Sequence, residues 1–130
     1  PRENKQDLEK ITHRYKLPMV VTDQSCPVRL AVLASDAVVS PFSTVLIESS
    51  YFDKPSISLQ PGLKAKDPLV TNELGVTVPV YEKGSIGALL EKVFSDKRYS
   101  AELSKRRKPF RTDGKATQRV VNLVTSFLYQ

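Results

Sequence analysis

The sequence predicts an α/β fold, with about four parallel strands in a three-layer arrangement that has helices on both faces of the sheet. Three observations lead to this prediction. Short apolar runs of strand length alternate with longer amphipathic runs along the chain. The run at 37–39 lacks polar alternation, as is typical of strands covered on both faces. Helices between strands form crossovers, and crossovers join parallel strands.

The first third of the chain begins with a helix. Asn4 and Asp7 resemble a capping box at its start, and the helix ends before Pro18. Residues 19–21 (Met, Val, Val) are predicted to form a short buried strand. Pro27 then opens a second helix.

The strand predicted at 37–40 leads into a turn rich in hydroxyl groups and then into a helix over 43–52. Ser43 or Thr44 can cap this helix, and the amides of its first turn, at the positive end of the dipole, favour an anion such as phosphate. Glu48 follows Thr44 by one helical turn and returns to the same face. An ordinary capped helix with a solvated Glu48 remains the alternative.

A third strand is predicted at 56–59, followed by a long loop over 60–68. Loops at this end of a parallel strand line the ligand crevice of open α/β sheets. A short helix over 69–74 then ends at Gly75, and a fourth strand spans 76–81.

The last third is helical. Apolar residues at helical spacing follow Ser85, a basic helix covers 101–107, and a final amphipathic helix covers 115–128. The cations between 97 and 111 fit either a solvated helix end or a surface that contacts membrane or nucleic acid.

The composition limits the classes of function. The 130 residues, 40% of them hydrophobic, suit one domain, which the small number of strands marks as incomplete; its C-terminal helices occupy 100–130. No apolar run reaches the roughly 20 residues of a membrane span. The single Cys26 and the single His13 leave no internal disulfide and no typical zinc site, and neither a P-loop nor a GxGxxG motif is present. We therefore expect no metal and no cofactor.

Several short motifs occur in the order and spacing of one family. They are the strand residues 34–40, the turn Phe42-Ser43-Thr44, Glu48, the turn Lys54-Pro55, the segment 72–75 and the segment 113–120. Together they resemble the nucleotide-sugar-binding, C-terminal half of GT-B glycosyltransferases, of the kind found in bacterial surface-polysaccharide synthesis. UDP-N-acetylglucosamine 2-epimerase and the glycerophosphotransferases of teichoic acid synthesis share this architecture.

The resemblance implies roles for individual residues. Pro41-Phe42 stands where many relatives have glycine, which narrows the approach of the backbone to phosphate. No catalytic residue is implied, since the general base of relatives usually comes from the other lobe. The implied binding residues are Ser43, Thr44 and Phe42 for the diphosphate, Glu48, Asn72 and Glu73 for ribose or sugar hydroxyls, and Gln60 and Asp67 in the donor loop.

The resemblance also implies a function. The chain is expected to be the donor-binding portion of a glycosyltransferase of surface polysaccharide or glycan synthesis, truncated on its N-terminal side and inactive alone. We expect it in the cytoplasm or peripherally at the inner face of the membrane. Two alternatives stay open: a UDP-sugar 2-epimerase-like domain, and a non-catalytic α/β interaction module with a basic surface.

The expected partners follow from the same resemblance. They are a UDP- or CDP-linked donor and a missing N-terminal lobe of the same protein, without nucleic acid. Two further candidates are an anionic membrane surface, contacted by Arg106, Arg107 and Lys108, and a second copy of the chain at the exposed sheet edge.

Overall fold

A computed structural model describes residues 4–22, 25–110 and 113–129. This part of the chain forms a three-stranded parallel sheet, in the order β1-β2-β3, and seven α-helices. The arrangement confirms the α/β prediction and is consistent with a Rossmann-like fold. The strands are β1 (Val38–Ser40), β2 (Ser56–Leu59) and β3 (Thr77–Val80); the helices are α1 (Lys5–Arg14), α2 (Val28–Ala34), α3 (Val45–Glu48), α4 (Val70–Glu73), α5 (Ile86–Ser95), α6 (Lys97–Arg107) and α7 (Ala116–Leu128).

The core is centred on β2, the middle strand. Ile57 of β2 is completely buried, and Leu46 of α3 is buried beside the sheet. In the register of the two parallel pairs, Ser40, Ser58 and Pro79 lie in one row across the three strands. The row matters because it stands next to the carboxyl ends of all three strands.

The strand predicted at 19–21 is wrong. These residues adopt no regular secondary structure, and Met19 and Val20 are 59% and 89% exposed. A strand exists only where a neighbour completes its hydrogen-bond ladder, and no strand of the described part lies beside this segment. The described sheet therefore has three strands rather than four.

The prediction of a single continuous helix over 43–52 is also wrong, because the helix changes type within this range. Only α3 is α-helical, and the chain then tightens into a 3₁₀ helix, Ser49–Phe52. The Ser49 hydroxyl donates to the Leu46 carbonyl oxygen at 2.8 Å, and Ser49 and Ser50 are completely buried. Only the four residues of α3 therefore contribute an α-helical dipole at the hydroxyl-rich turn, which makes this dipole weaker than predicted.

Side-chain caps set the starts of two other helices. Asn4 caps α1 by accepting from the Gln6 amide at 3.1 Å, in place of the capping box expected with Asp7. Asp96 caps α6 by accepting from the Tyr99 amide at 2.9 Å, so this basic helix starts earlier than predicted.

An ion pair with a buried cation attaches α6 to the amino edge of the sheet. Asp53 precedes β2, and its carboxylate accepts from Nη2 of Arg107 at 3.1 Å and from the Ser104 hydroxyl at 2.9 Å. Arg107 is only 4% exposed. It therefore cannot be the membrane-facing cation of the sequence prediction. Arg106 pairs with Glu102 on its own helix, and Lys108 is exposed; membrane contact through these two stays a prediction.

The last helix, α7, is exposed along its whole length. The segment that begins Asp113-Gly114 forms its start: the Asp113 carboxylate accepts from the Lys115 amide at 2.9 Å and from Nη1 of Arg119 at 2.7 Å. Among the described residues, no helix combines the length and apolarity needed to cross a membrane.

Candidate functional site

The candidate site lies at the carboxyl edge of the sheet. Because β1, β2 and β3 are parallel, the segments that follow them meet at this edge, which is where open α/β sheets bind ligands. The three segments are 41–44 after β1, 60–69 after β2, and Tyr81 after β3. The amides of Gln60 and Gly62 donate to the carbonyl oxygens of Val80 and Tyr81 at 2.9 and 3.0 Å. The long loop is thus tied to the end of β3.

The turn 41–44 offers hydrogen-bond donors. The amides of Phe42, Ser43 and Thr44 donate no hydrogen bond within the described part of the chain, and Thr44 is exposed. The Ser43 hydroxyl accepts from the Val45 amide at 3.2 Å, which fixes the turn. Because α3 has only four residues, anion binding here would depend on these amides and hydroxyls rather than on a long helix dipole.

Asp67 is the centre of a polar cluster in the long loop. One carboxylate oxygen accepts from the Leu69 amide at 2.8 Å and from the Gln60 side chain at 3.4 Å. The other accepts from the Asn72 amide group at 2.7 Å and from the Tyr81 hydroxyl at 2.6 Å. The four donors come from both sides of the loop and from the end of β3, so they hold the carboxylate in one orientation.

The hydrogen bonds keep Asp67 ionised. Burial raises the pKa of Asp67, but the bonds from Tyr81, Leu69, Asn72 and Gln60 together outweigh it, so the pKa lies below the usual 3.8. The same contact with Asp67, followed by burial, raises the pKa of Tyr81 above 10.0. At neutral pH the cluster therefore carries one negative charge and four neutral donors.

Asn72 connects this cluster to the sheet. Its Nδ2 donates to the Ser58 hydroxyl at 2.7 Å as well as to Asp67. The opposite orientation of the amide would bring Oδ1 against the carboxylate, so the ionised Asp67 fixes which way the amide points. Ser58 pairs in register with Ser40, the residue directly before the turn 41–44. The Asp67 cluster and the turn are therefore one strand apart.

The other predicted binding residues lie outside this cluster. Glu48 and Glu73 are exposed, and neither carboxylate makes a hydrogen bond or ion pair with a described residue. Phe42 belongs to the turn, and its side chain is 66% exposed. The binding roles of these three residues stay predictions, as do those of Ser43, Thr44, Gln60, Asp67 and Asn72.

Two residues of the cluster were missed by the sequence reasoning. Ser58 lies inside a buried strand and carried no signal. Tyr81 did carry one, since it is the first residue after β3 and thus occupies the same edge as the turn and the long loop. The carboxyl ends of all parallel strands line the same crevice, and this rule, applied to β3 as well, identifies Tyr81.

Comparison with known proteins identifies the family of the chain. No curated protein and no solved structure matches the chain. The model of one family, described as CDP-glycerol:poly(glycerophosphate) glycerophosphotransferase, matches residues 5–126. This match supports a glycosyltransferase-like transferase with a role in polymer synthesis. Since it covers nearly the whole sequence, including all three strands and the site at their carboxyl ends, the chain belongs to the CDP-glycerol:poly(glycerophosphate) glycerophosphotransferase family.

Proposed function

We propose that the chain is the donor-binding part of a transferase that builds a surface polymer, and that its donor is CDP-glycerol. The family description supplies the donor. The observation that carries the proposal is that one sheet edge holds two complementary groups: a turn with three unused amides and an ionised carboxylate one strand away.

The two groups suit different parts of the donor. The amides of 42–44 and the hydroxyls of Ser43 and Thr44 can donate to the diphosphate. Asp67 repels phosphate, and its two oxygens already accept four hydrogen bonds. A hydroxyl group of CDP-glycerol, on its ribose or its glycerol, would replace the longest of them, from the Gln60 side chain at 3.4 Å. The turn would therefore hold the diphosphate, and the Asp67 cluster would hold a hydroxyl-bearing end.

This placement gives the turn a chemical role. When an acceptor hydroxyl attacks the phosphorus that bears glycerol, the bond to cytidine monophosphate breaks and negative charge grows on the leaving phosphate. Preorganised donors at 42–44 would stabilise that charge. No described residue is assigned as the base for the acceptor, so the chain alone is expected to bind donor without turnover.

Nucleotide titration tests the proposal. CDP-glycerol, CDP and UDP are added separately while the amide resonances of 42–46 and 60–72 are followed by NMR. We expect CDP-glycerol to shift both segments, and CDP, which lacks the glycerol, to bind less tightly. Ser43→Ala and Thr44→Ala should each weaken binding about tenfold, equivalent to about 1.4 kcal/mol, whereas Ser95→Ala, an exposed serine at the end of α5, should not.

The outcomes separate the candidate functions. Unchanged resonances of 42–46 at millimolar CDP-glycerol would refute the donor-binding proposal. Equal binding of CDP and CDP-glycerol would remove glycerol from the recognised groups. Tighter binding of UDP than of CDP would favour a UDP-sugar donor, the other candidate of the sequence prediction.

A further inference from the structure

The outer side of α6 carries cations that have no acidic partner among the described residues. Six of the twelve residues 97–108 are cations and one is an acid, so few of the positive charges can be matched locally. Arg106 pairs with Glu102, and Arg107 pairs with Asp53. The four that remain form the basic face; they are exposed and make no ion pair within the described part of the chain: Lys97, Arg98, Lys105 and Lys108.

The basic face extends along the helix. Arg98 and Lys105 are seven residues apart, close to two helical turns, so they lie on one side of α6 and about 10 Å apart along its axis. Leu103 and Arg107 occupy the opposite, buried side. A single phosphate group cannot contact both ends of this face at once. The arrangement therefore suits an anion that is long and carries several charges.

The helix dipole accounts for only one end of the basic face. Cations in the last turn of a helix are stabilised by its negative end, and Lys105 lies there. Lys97 and Arg98 lie in the first turn, near the positive end, where a cation is disfavoured. That turn holds no acidic residue, and the carboxylate of Asp96 before it caps the Tyr99 amide. Cations at a position that the helix disfavours indicate a partner outside the helix.

The proposed transfer produces an anion of this kind. Each step joins the acceptor oxygen to the phosphorus that bears glycerol, while cytidine monophosphate leaves with the bonding electron pair and the acceptor proton passes to solvent. Every step adds one phosphodiester with one negative charge, so the product is a flexible polymer with regularly spaced charges. β2 is four residues long, about 13 Å. A polymer of several units can therefore reach α6, at the amino edge, while its growing end lies at the carboxyl edge.

We propose that the basic face binds the polymer that the transferase extends, through ion pairs with successive phosphodiesters. The identity of the polymer rests on the proposed function. One exposed ion pair contributes little. Several on the same polymer reinforce one another, because each contact after the first forms within the complex. The polymer would then stay attached between transfers, whereas a single acceptor unit would leave.

Two other polyanionic partners fit the basic face less well. Surface helices that bind membranes present large apolar side chains beside their cations, whereas Ala101 lies among the cations here. Phe94 is exposed but lines a hollow with Ser104, on the inner side of α6. Single-stranded nucleic acid stacks its bases on exposed aromatic rings. Tyr99, the aromatic residue of α6, is covered by Lys92, whose ammonium nitrogen lies 4.3 Å from the ring centre. A polymer without bases or lipid chains requires neither feature.

Titration with a synthetic oligomer of about eight glycerophosphate units tests the inference. Glycerophosphoglycerol, a single phosphodiester, is the reference at the same phosphate concentration. Amide resonances of 97–108 locate the binding by NMR, and the affinity is measured at several salt concentrations between about 50 and 200 mM. The test variant combines Arg98→Gln with Lys105→Gln. Its matched control combines Lys16→Gln with Arg29→Gln, which removes the same charge from exposed sites elsewhere in the chain.

The oligomer should bind at least about tenfold more tightly than the single phosphodiester and should shift the amides of 97–108. The logarithm of the affinity should fall against the logarithm of the salt concentration with a slope of about −3, as expected for four ion pairs with a single-stranded polyanion. The test variant should reduce the magnitude of this slope by about 1.4 and weaken binding about tenfold. The control variant should leave the slope unchanged.

Three results would overturn the inference: no shift within 97–108 at about 50 mM salt, equal losses in both double variants, or tighter binding of another polyanion. The last is tested with phosphatidylglycerol vesicles and with single-stranded DNA at the same phosphate concentration, and it would assign the basic face to a membrane or to nucleic acid. Because no nucleotide is present, failure of the oligomer to bind leaves donor binding at 42–46 unaffected. Failure of the CDP-glycerol titration alone, with the oligomer still bound at 97–108, would contradict the proposed donor and not the basic face.

Discussion

An aspartate lies at each end of the parallel strands, Asp53 at the amino edge and Asp67 at the carboxyl edge. The groups that donate hydrogen bonds to these two aspartates differ in charge. At the amino edge, Asp53 accepts from a guanidinium that is 4% exposed. At the carboxyl edge, Asp67 accepts only from the neutral donors of Gln60, Leu69, Asn72 and Tyr81 among the described residues. One aspartate is paired with a buried cation, and the other accepts from no cation among the described residues.

This difference separates stability from binding. A buried cation whose carboxylate partner is removed keeps its desolvation cost without that attraction, so the Asp53 pair should matter mainly to folding. A carboxylate held by neutral donors stays ionised and oriented, and a ligand hydroxyl can replace the most distant of these donors, the Gln60 side chain at 3.4 Å. Substitution of Asp53 should therefore lower the free energy of unfolding more than the affinity for the donor, and substitution of Asp67 should do the reverse.

Asp53→Asn should give the largest effect on stability. It removes the charge that Nη2 of the buried Arg107 contacts at 3.1 Å, and since the Asp53 side chain is 39% exposed we expect a loss of about 2 to 3 kcal/mol in the free energy of unfolding, at or below the low end for buried pairs. Asparagine tolerates the positive φ of 56° at this position, so the backbone is not the cause. Urea unfolding measures the loss.

The matched control is Asp96→Asn. Asp96 is also an aspartate of the α6 region, but it acts as a helix cap, a role that asparagine fills equally well. Its unfolding free energy should equal that of the unsubstituted chain. Equal losses for the two variants would show that the Asp53 pair has no special weight, and the distinction between the edges would fail there.

Asp67→Asn should reverse the balance. The amide is uncharged and its NH₂ group has to face donors, so we expect a loss of about 1 kcal/mol in stability and a loss of tenfold or more in affinity for CDP-glycerol. Titration by NMR and urea unfolding of the same sample give both numbers. If the affinity for CDP-glycerol were unchanged and the free energy of unfolding fell as far as in Asp53→Asn, Asp67 would stabilise the fold rather than bind the donor.

The sequence predicted the parallel α/β topology because that information is local. The apolar runs that became β1, β2 and β3 are separated by helix-forming stretches, and nothing outside the chain is needed to recognise them. The loop over 60–68 was placed at the carboxyl end of β2 for the same reason. The structure brings Gln60 and Asp67 of this loop together with Asn72, whereas their roles in binding, which the family resemblance implied, stay predictions.

Other features depend on neighbours that local patterns do not reveal. Residues 19–21 have a strand sequence but no ladder partner among the described residues, so they stay irregular. Arg107 sits in a run of cations typical of a solvated face, and only the fold brings Asp53 to it across 54 positions. After α3 the chain continues as a 3₁₀ helix in which Ser49 and Ser50 are completely buried, and the helical pattern of the sequence does not show this change.

Tyr81→Phe should have a smaller effect than Asp67→Asn, and it tests how the charge at the carboxyl edge is held. The loss of one donor at 2.6 Å should cost about 1 kcal/mol or less and should raise the pKa of Asp67 toward 3.8. Because the folded pKa of Asp67 is lowered, its stabilisation is complete above about 3.8 and is lost as the pH falls through the folded value. Carboxyl ¹³C shifts against pH measure this; an unchanged pKa would exclude Tyr81 as a main partner.

Arg119→Gln should have the smallest effect, and it completes the comparison with a third aspartate. The side chains of Arg119 and Asp113 are 63% and 52% exposed, so water solvates each charge whether or not they are paired. The guanidinium of Arg119 lowers the pKa of Asp113, and its removal should raise that pKa toward the usual value with only a small fall in the thermal midpoint at neutral pH. The start of α7 should also survive, since the Lys115 amide still donates to Asp113. A large fall in the midpoint would show that even an exposed ion pair stabilises this chain. A small fall, together with a large loss of stability in Asp53→Asn, would show that an ion pair matters when its cation is buried.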